Sequence, residues 1–101
     1  MAGQGKASLV RDKYKVLSAN SNTVAGWTYH ITTASTITLP DTATLSVGDK
    51  VTFTKKIGVV PTIQRFGSTV LIKTSLGTDS SVLFDIEAEI IFVWNGTEWE
   101  V

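Results

Sequence analysis

The sequence has no cysteine among its 101 residues. This absence excludes disulfide scaffolds, thiolate zinc centres and thiol nucleophiles, and it leaves the redox compartment open. Long hydrophobic runs are missing as well, so the sequence contains no readable membrane span or export signal. We therefore expect a soluble protein with no membrane partner.

An excess of charge of either sign is also missing. Nine basic and nine acidic side chains cancel to a formal charge of zero, and charged residues make up only 18% of the chain. A neutral chain has no overall field that attracts nucleic acid, so we predict no nucleic-acid partner. With 43% hydrophobic residues, the chain is too apolar for disorder and sparsely charged for a free monomer, which predicts that part of its surface is an interface.

The sequence does contain a period-two alternation of apolar and polar residues, interrupted at short intervals by turn-forming residues. Abundant threonine, valine and isoleucine favour strands over helices. The length is typical of one domain, so we predict an all-β class: a small antiparallel β-sandwich or barrel-like domain over residues 13–101. Residues 1–12 are small, polar and glycine-bearing, and they predict a flexible N-terminal arm.

Two local motifs predict backbone geometry. Asn95-Gly96, between Trp94 and Trp99, is typical of a type I′ turn, because both residues tolerate positive φ, and it predicts a hairpin. Pro61 lies in an apolar segment and cannot donate to a β-ladder. We therefore predict that residues 59–65 form an edge strand or are bulged.

Residues 86–94 begin as an alternating strand and end apolar on both faces. Ile91 and Val93 follow the two glutamates of the same row, where a half-exposed strand needs no apolar side chains. Either a second layer of this chain covers them or another subunit does, and we favour the subunit. The predicted assembly interface consists of Leu9, Val10 and Arg11 of the arm together with Ile91 and Val93.

Residues that carry chemistry are few. His30 is the only histidine, and the alternation around it places it on the face opposite Tyr29 and Ile31. Nothing in the sequence supplies the activated hydroxyl or the orienting acid that a catalytic base requires. We therefore predict a non-enzymatic protein with no catalytic residues.

Paired acids occur on two segments but lack the spacing of a metal loop. Glu87 and Glu89 share a strand face without any Asp-x-Asp-x-Asp-Gly pattern, so we expect a solvated acidic face and no metal or other cofactor. Because neighbouring acids repel one another, we expect lysines such as Lys55, Lys56 or Lys73 beside them.

Three tryptophans in so short a chain suggest a second function, carbohydrate binding, because flat aromatic faces stack on pyranose rings. Trp27 and Trp99 are the candidate glycan contacts. All three tryptophans also fall in apolar rows, where large aromatics of a small β domain ordinarily form the core.

Three segments resemble small β modules of tailed-bacteriophage virion proteins, the modules found in tail fibres and related appendages. They are residues 37–40 (ITLP), residues 46–53 (SVGDKVTF) and residues 93–101 (VWNGTEWEV). Tyr14 and Trp27 begin segments that occupy the positions of the usual opening strands. The resemblance covers roughly residues 14–101, and it lies in the set of motifs more than in any single motif.

This resemblance implies a structural role in a virion, on the capsid surface or in a tail appendage. Modules of this kind commonly assemble as homotrimers, attach to capsid or tail proteins, and in some cases contact a host surface glycan. The chain has no repetitive shaft, so a capsid decoration protein or an appendage tip fits its length better than a complete fibre. The arm would then attach the protein to the capsid lattice or to an adjacent copy.

Overall fold

The computed structural model describes residues 13–68 and 70–101. The predicted arm, residues 1–12, lies outside these described residues. Within them the predicted all-β class is confirmed, and the only helical segment is a 3₁₀ turn at Thr42–Thr44 that begins at a cap, where Asp41 Oδ1 accepts from Ala43 N. The strands in chain order are β1 (Tyr14–Leu17), β2 (Ser21–Asn22), β3 (Thr28–Ile31), β4 (Thr36–Thr38), β5 (Lys50–Lys55), β6 (Thr62–Gln64), β7 (Ile72–Thr74), β8 (Gly77–Asp79), β9 (Ser81–Leu83), β10 (Ile90–Trp94) and β11 (Trp99–Glu100).

These strands form two sheets. The seven-stranded sheet has the order β1-β3-β5-β10-β11-β7-β8, and the four-stranded sheet has the order β2-β4-β6-β9. Side chains from both sheets meet in one buried cluster, which includes Ile31, Phe53 and Phe92 from the larger sheet and Ile37 and Ile63 from the smaller. The architecture is therefore sandwich-like.

The pairing corrects the antiparallel expectation for the first half of the chain. β1, β3 and β5 run parallel to one another, and so do β2, β4 and β6. The chain crosses to the other sheet after each of these strands, so it winds as a flattened coil of three turns. The alternation of apolar and polar residues shows which face of the sheet a side chain occupies. It does not show the direction of the neighbouring strand, so the sequence cannot distinguish parallel from antiparallel pairing.

Antiparallel pairing is found where the coil is closed. β10 pairs antiparallel with β5 and with β11, and β9 pairs antiparallel with β6. β10 is shorter than the predicted strand, because residues 85–89 form a loop before Ile90.

Aromatic side chains form a ladder across the core of the larger sheet. Tyr29 stacks on Trp27 and on Phe53, with ring centroids 6.0 Å apart in each pair, and Phe53 meets Phe92 edge to face at 5.6 Å. The strand register produces this ladder, since Tyr29 lies opposite Phe53. Each buried aromatic contributes about 1.5–3 kcal/mol by its removal from water.

The closing hairpin is confirmed, but its loop differs from the predicted type I′ turn. Trp94 pairs with Trp99, so the loop has four residues, and Asn95 N donates to Glu98 O at 3.1 Å. The Asn95 side chain organises it: Oδ1 accepts from Thr97 N, Thr97 Oγ1 and Glu98 N at 2.8–3.0 Å. Gly96 supplies the left-handed residue, with a φ of 106°.

Pro61 corrects another expectation. β6 begins at Thr62, directly after the proline, and has a neighbour on each side, so it is not an edge strand. Pro61 is buried, and its carbonyl accepts from Phe84 N at 2.9 Å. The missing N–H therefore falls just outside the ladder, where it removes no strand pairing.

Candidate functional site

The first candidate surface is the outer face of the larger sheet, the side turned away from the core. Strand pairing places Tyr14, Thr28, Thr52 and Ile91 in one row across β1, β3, β5 and β10. Residues paired in this way share a face of the sheet. The row joins an aromatic, two half-buried threonines and an isoleucine.

Ile91 and Val93 are uncovered on this face. Their side chains are 41% and 37% exposed, whereas Phe92 and Trp94, which alternate with them, are buried. Tyr14 and Val16 on β1 are 43% and 53% exposed. The sequence left two alternatives, cover by a second layer of this chain or cover by another subunit. Within residues 13–68 and 70–101 no second layer of the chain covers Ile91 and Val93, so the first alternative does not hold there.

Charges of alternating sign lie beside this apolar surface. Lys50 pairs with Val93, Val93 with Glu100, and Glu100 with Lys73, so the four side chains form a second row across the strands. The Glu100 carboxylate is held by Asn95, whose Nδ2 donates to Oε2 at 2.8 Å. A row in which lysine and glutamate alternate is complementary to a shifted copy of itself.

His30 also lies on the outer face. It is half-buried, and Nδ1 is 2.8 Å from Thr54 Oγ1. The predicted orientation, opposite Tyr29 and Ile31, is confirmed, since both of those side chains are buried. Among the described residues no group of three or more histidine, cysteine or acidic side chains is placed to hold a metal ion.

The other predicted site residues are two tryptophans and three residues of the arm. Trp99 has no exposed surface, so the hypothesis that its ring stacks on a sugar does not fit the structure: it packs edge to face on Trp94 in the core, at 5.4 Å. Trp27 is half-buried and stacks on Tyr29. Leu9, Val10 and Arg11 lie outside the described residues.

The second candidate surface is a polar groove across the smaller sheet, which the sequence reasoning missed. Two depressions, of about 230 and 390 Å³, share Thr38 and Gln64 in their walls. The first is lined further by residues 20–22 and Thr36, and the second by residues 65–67 and residues 80–81. Except for Arg65, Phe66 and Gly67, the described residues of the lining all have uncharged amide or hydroxyl side chains.

The strand register builds this groove. Asn22, Thr38, Gln64 and Ser81 occupy one row across β2, β4, β6 and β9. Gln64 Nε2 donates to Thr38 Oγ1 at 3.0 Å, which fixes both side chains, and Asn20 Oδ1 accepts from Thr36 N at 2.8 Å. The row brings together residues far apart in the chain, so no local pattern in the sequence indicates it.

An ion pair lies at one end of the core. Lys55 Nζ is 2.8 Å from Glu87 Oε1 and 5.7 Å from the centre of the Phe84 ring, and the lysine side chain is only 1% exposed. Glu87 Oε2 also accepts from Gly58 N at 3.3 Å. The hydrogen bond from Lys55, helped by the one from Gly58, lowers the pKa of Glu87 below its ordinary value. The expectation of a lysine beside these acids is confirmed for Lys55.

Together these features define an all-β module with two distinct surfaces, one partly apolar and one polar and uncharged. No protein-family model matches the chain. No curated protein matches it either. Among the described residues no helix is long and apolar enough to cross a membrane.

Proposed function

We propose that this protein is a non-enzymatic structural component of a bacteriophage virion, a capsid decoration or appendage module that assembles as a homotrimer. The observation that carries the proposal is the uncovered pair Ile91 and Val93 on the outer face of the larger sheet. The resemblance of residues 14–101 to virion modules supports the virion context. The function needs no cofactor, because it consists of binding by shape and apolar burial.

The energetics favour a second copy of the chain as the occupant of the outer face. Burial of apolar surface contributes about 25 cal/mol per Å², so several hundred Å² per subunit contributes several kcal/mol before the costs of association. The row of Lys50, Glu100 and Lys73 beside Val93 gives the contact a register, because lysines of one copy can face the glutamate of another. Closed rotational symmetry then repeats the same contact at every subunit.

The arm fits the same assembly. The chain enters the larger sheet at its edge strand β1, where Thr28 N donates to Lys13 O at 2.9 Å. In the proposal residues 1–12 extend from this edge onto a neighbouring copy or onto the capsid or tail. There Leu9 and Val10 bury apolar surface, and Arg11 pairs with an acid of the partner.

The test of assembly is light scattering with size-exclusion chromatography at micromolar concentration. We expect a species of three times the 10.9 kDa chain mass. The double variant Ile91→Thr/Val93→Thr keeps β-branched side chains but loses apolar surface, and we expect it to dissociate at concentrations at least about tenfold higher. The matched control is Ile57→Thr/Leu76→Thr, since both side chains are more exposed than Ile91 but lie in loops.

A monomer at every concentration would contradict the assembly proposal. A trimer that loosens equally in the control variant would contradict the assignment of the contact to Ile91 and Val93. The virion context has its own test: images of intact particles with and without this polypeptide should differ by a density of threefold symmetry on the capsid or the tail.

A further inference from the structure

We propose that the polar groove of the four-stranded sheet is a binding site for a neutral oligosaccharide. This inference concerns the sheet opposite the assembly face and does not depend on assembly. The site uses neither Trp27 nor Trp99. It consists of the row Asn22, Thr38, Gln64 and Ser81, with Phe66 beside it.

The chemistry of the lining side chains selects the class of ligand. Amide and hydroxyl side chains each donate and accept, which matches a sugar, because every sugar hydroxyl also does both. Among the described residues, Arg65 is the only charged one that lines the two depressions, and no acid lines them. A lining of this kind recognises an uncharged polar molecule.

The geometry favours a chain of sugars over a single ring. The four side chains of the row stand on four adjacent strands, and strands in a sheet are about 4.8 Å apart, so the row extends over about 14 Å. The backbone beneath it is hydrogen-bonded, and the Gln64–Thr38 bond of 3.0 Å holds two of the four side chains in place. Side chains fixed before binding lose little conformational freedom when the ligand arrives.

Phe66 adds the aromatic face that saccharide sites use. Its side chain is 39% exposed and lines the larger depression together with Gln64 and Arg65. A partly exposed ring at the end of a polar row can stack on the C–H face of one pyranose while the row binds the hydroxyls of the next. Phe66 thereby takes the role that the sequence suggested for Trp99.

Other occupants fit the groove less well. Nucleic acid requires a concentration of basic side chains, and Arg65 alone does not supply it. An apolar ligand requires a mostly apolar lining. A peptide strand would add to a sheet edge, β2 or β9, through its backbone, and the groove instead crosses the strands.

The test uses the full chain and four neutral probes: linear hexasaccharides of glucose, mannose, galactose and N-acetylglucosamine. We expect at least one of them, at millimolar concentration or below, to shift the backbone amide resonances of β4 and β6 in a nuclear magnetic resonance titration. A heparin-derived hexasaccharide serves as the anionic comparison, and it should bind more weakly than the best neutral probe.

Gln64→Ala and Phe66→Ala should each weaken binding of the best probe by about tenfold or more, while Ser75→Ala, at an exposed position in the turn after β7, should leave it unchanged. Thr38→Val keeps the side-chain volume and provides a second test if either alanine variant fails to fold. Failure of all four neutral probes, tighter binding of the anionic probe, or equal binding by the groove variants would overturn the proposal. None of these results alters the light-scattering test of assembly, so the two proposals can fail separately.

Discussion

At the residue scale, the most consequential contact is the ion pair between Lys55 and Glu87. The lysine side chain is almost fully buried, while that of Glu87 is half exposed. A buried ammonium group without a partner is costly, so the Glu87 carboxylate stabilises the position of the Lys55 side chain beside Phe84. The same carboxylate also holds Gly58 N, and it therefore ties the loop after β5 to the loop before β10.

We expect Glu87→Gln to lower the midpoint of urea unfolding at neutral pH, because the neutral amide removes the counter-charge of Lys55. The matched control is Glu89→Gln, which removes an exposed acid of the same loop that forms no ion pair among the described residues. Equal midpoints for Glu87→Gln and the unchanged protein would contradict the role assigned to the pair.

The same pair predicts a dependence on pH. The pKa of Glu87 is lower in the folded protein than its ordinary value of 4.5, so the folded state binds this proton more weakly than the unfolded state does. The stabilisation is therefore present above pH 4.5 and is lost as the pH falls through the depressed folded pKa. Urea midpoints measured from neutral to acid pH should show the difference between the unchanged protein and Glu87→Gln shrinking in acid. A difference that grows in acid would contradict this sign.

At the scale of elements, the closing hairpin shows how a loop conformation and a neighbouring side chain together require glycine at one position. Gly96 has a φ of 106°, and a Cβ at this position would lie 3.1 Å from Val47 Cγ2. The loop of residues 95–98 therefore requires glycine for its backbone conformation and for its close approach to the turn before β5.

We expect Gly96→Ala to lower the free energy of unfolding by about 1–3 kcal/mol, which is the usual cost of such a backbone conformation in a residue with a Cβ. The control is Gly26→Ala, at a φ of 85° with no atom within 4 Å of the added Cβ. Gly26→Ala introduces the same kind of backbone strain without the contact with Val47, so it should lower the free energy of unfolding by less than Gly96→Ala does. Denaturant unfolding of the two variants measures the difference, and an equal cost would show that the contact with Val47 is unimportant.

The elements also show how far sequence reasoning extends. The predicted alternation holds in β10, where Phe92 and Trp94 lie in the core and Ile91 and Val93 lie on the opposite face, because neighbouring residues of a strand point to opposite faces. Asn95-Gly96 correctly predicted the hairpin. The loop type was wrong, since the Asn95 side chain bonds to Thr97 and Glu98, and those contacts involve residues beyond the two-residue motif.

The polar groove could not be predicted in the same way. Asn22, Thr38, Gln64 and Ser81 become neighbours only through the parallel pairing of β2, β4 and β6 and the antiparallel pairing of β9. A strand's own sequence does not specify its partner, its direction or its register. Trp99 shows a different difficulty. A tryptophan suggested an exposed surface for stacking on a sugar, but the strand pairing places this side chain in the core.

At the scale of the whole molecule, the proposed function assigns the arm and the outer face to one assembly. We expect deletion of residues 1–12 to reduce attachment to virions about tenfold or more without changing the fold, because every strand of the described residues lies at Tyr14 or beyond. Far-ultraviolet circular dichroism checks the fold, and quantitative blotting of purified particles measures attachment. Unchanged attachment by the shortened chain would refute the role of the arm.

The coiled path of the chain from β1 to β6 has a further consequence. Every turn adds one strand to each sheet, while the closing hairpin engages only the last turn, through β5. Within residues 13–68 and 70–101, the first turn places β1 and β2 at the edges of the two sheets, at the same end. A sequence with one more such turn would grow by about 4.8 Å there and would keep its closure intact, so this architecture permits size to change in whole steps without redesign of the core.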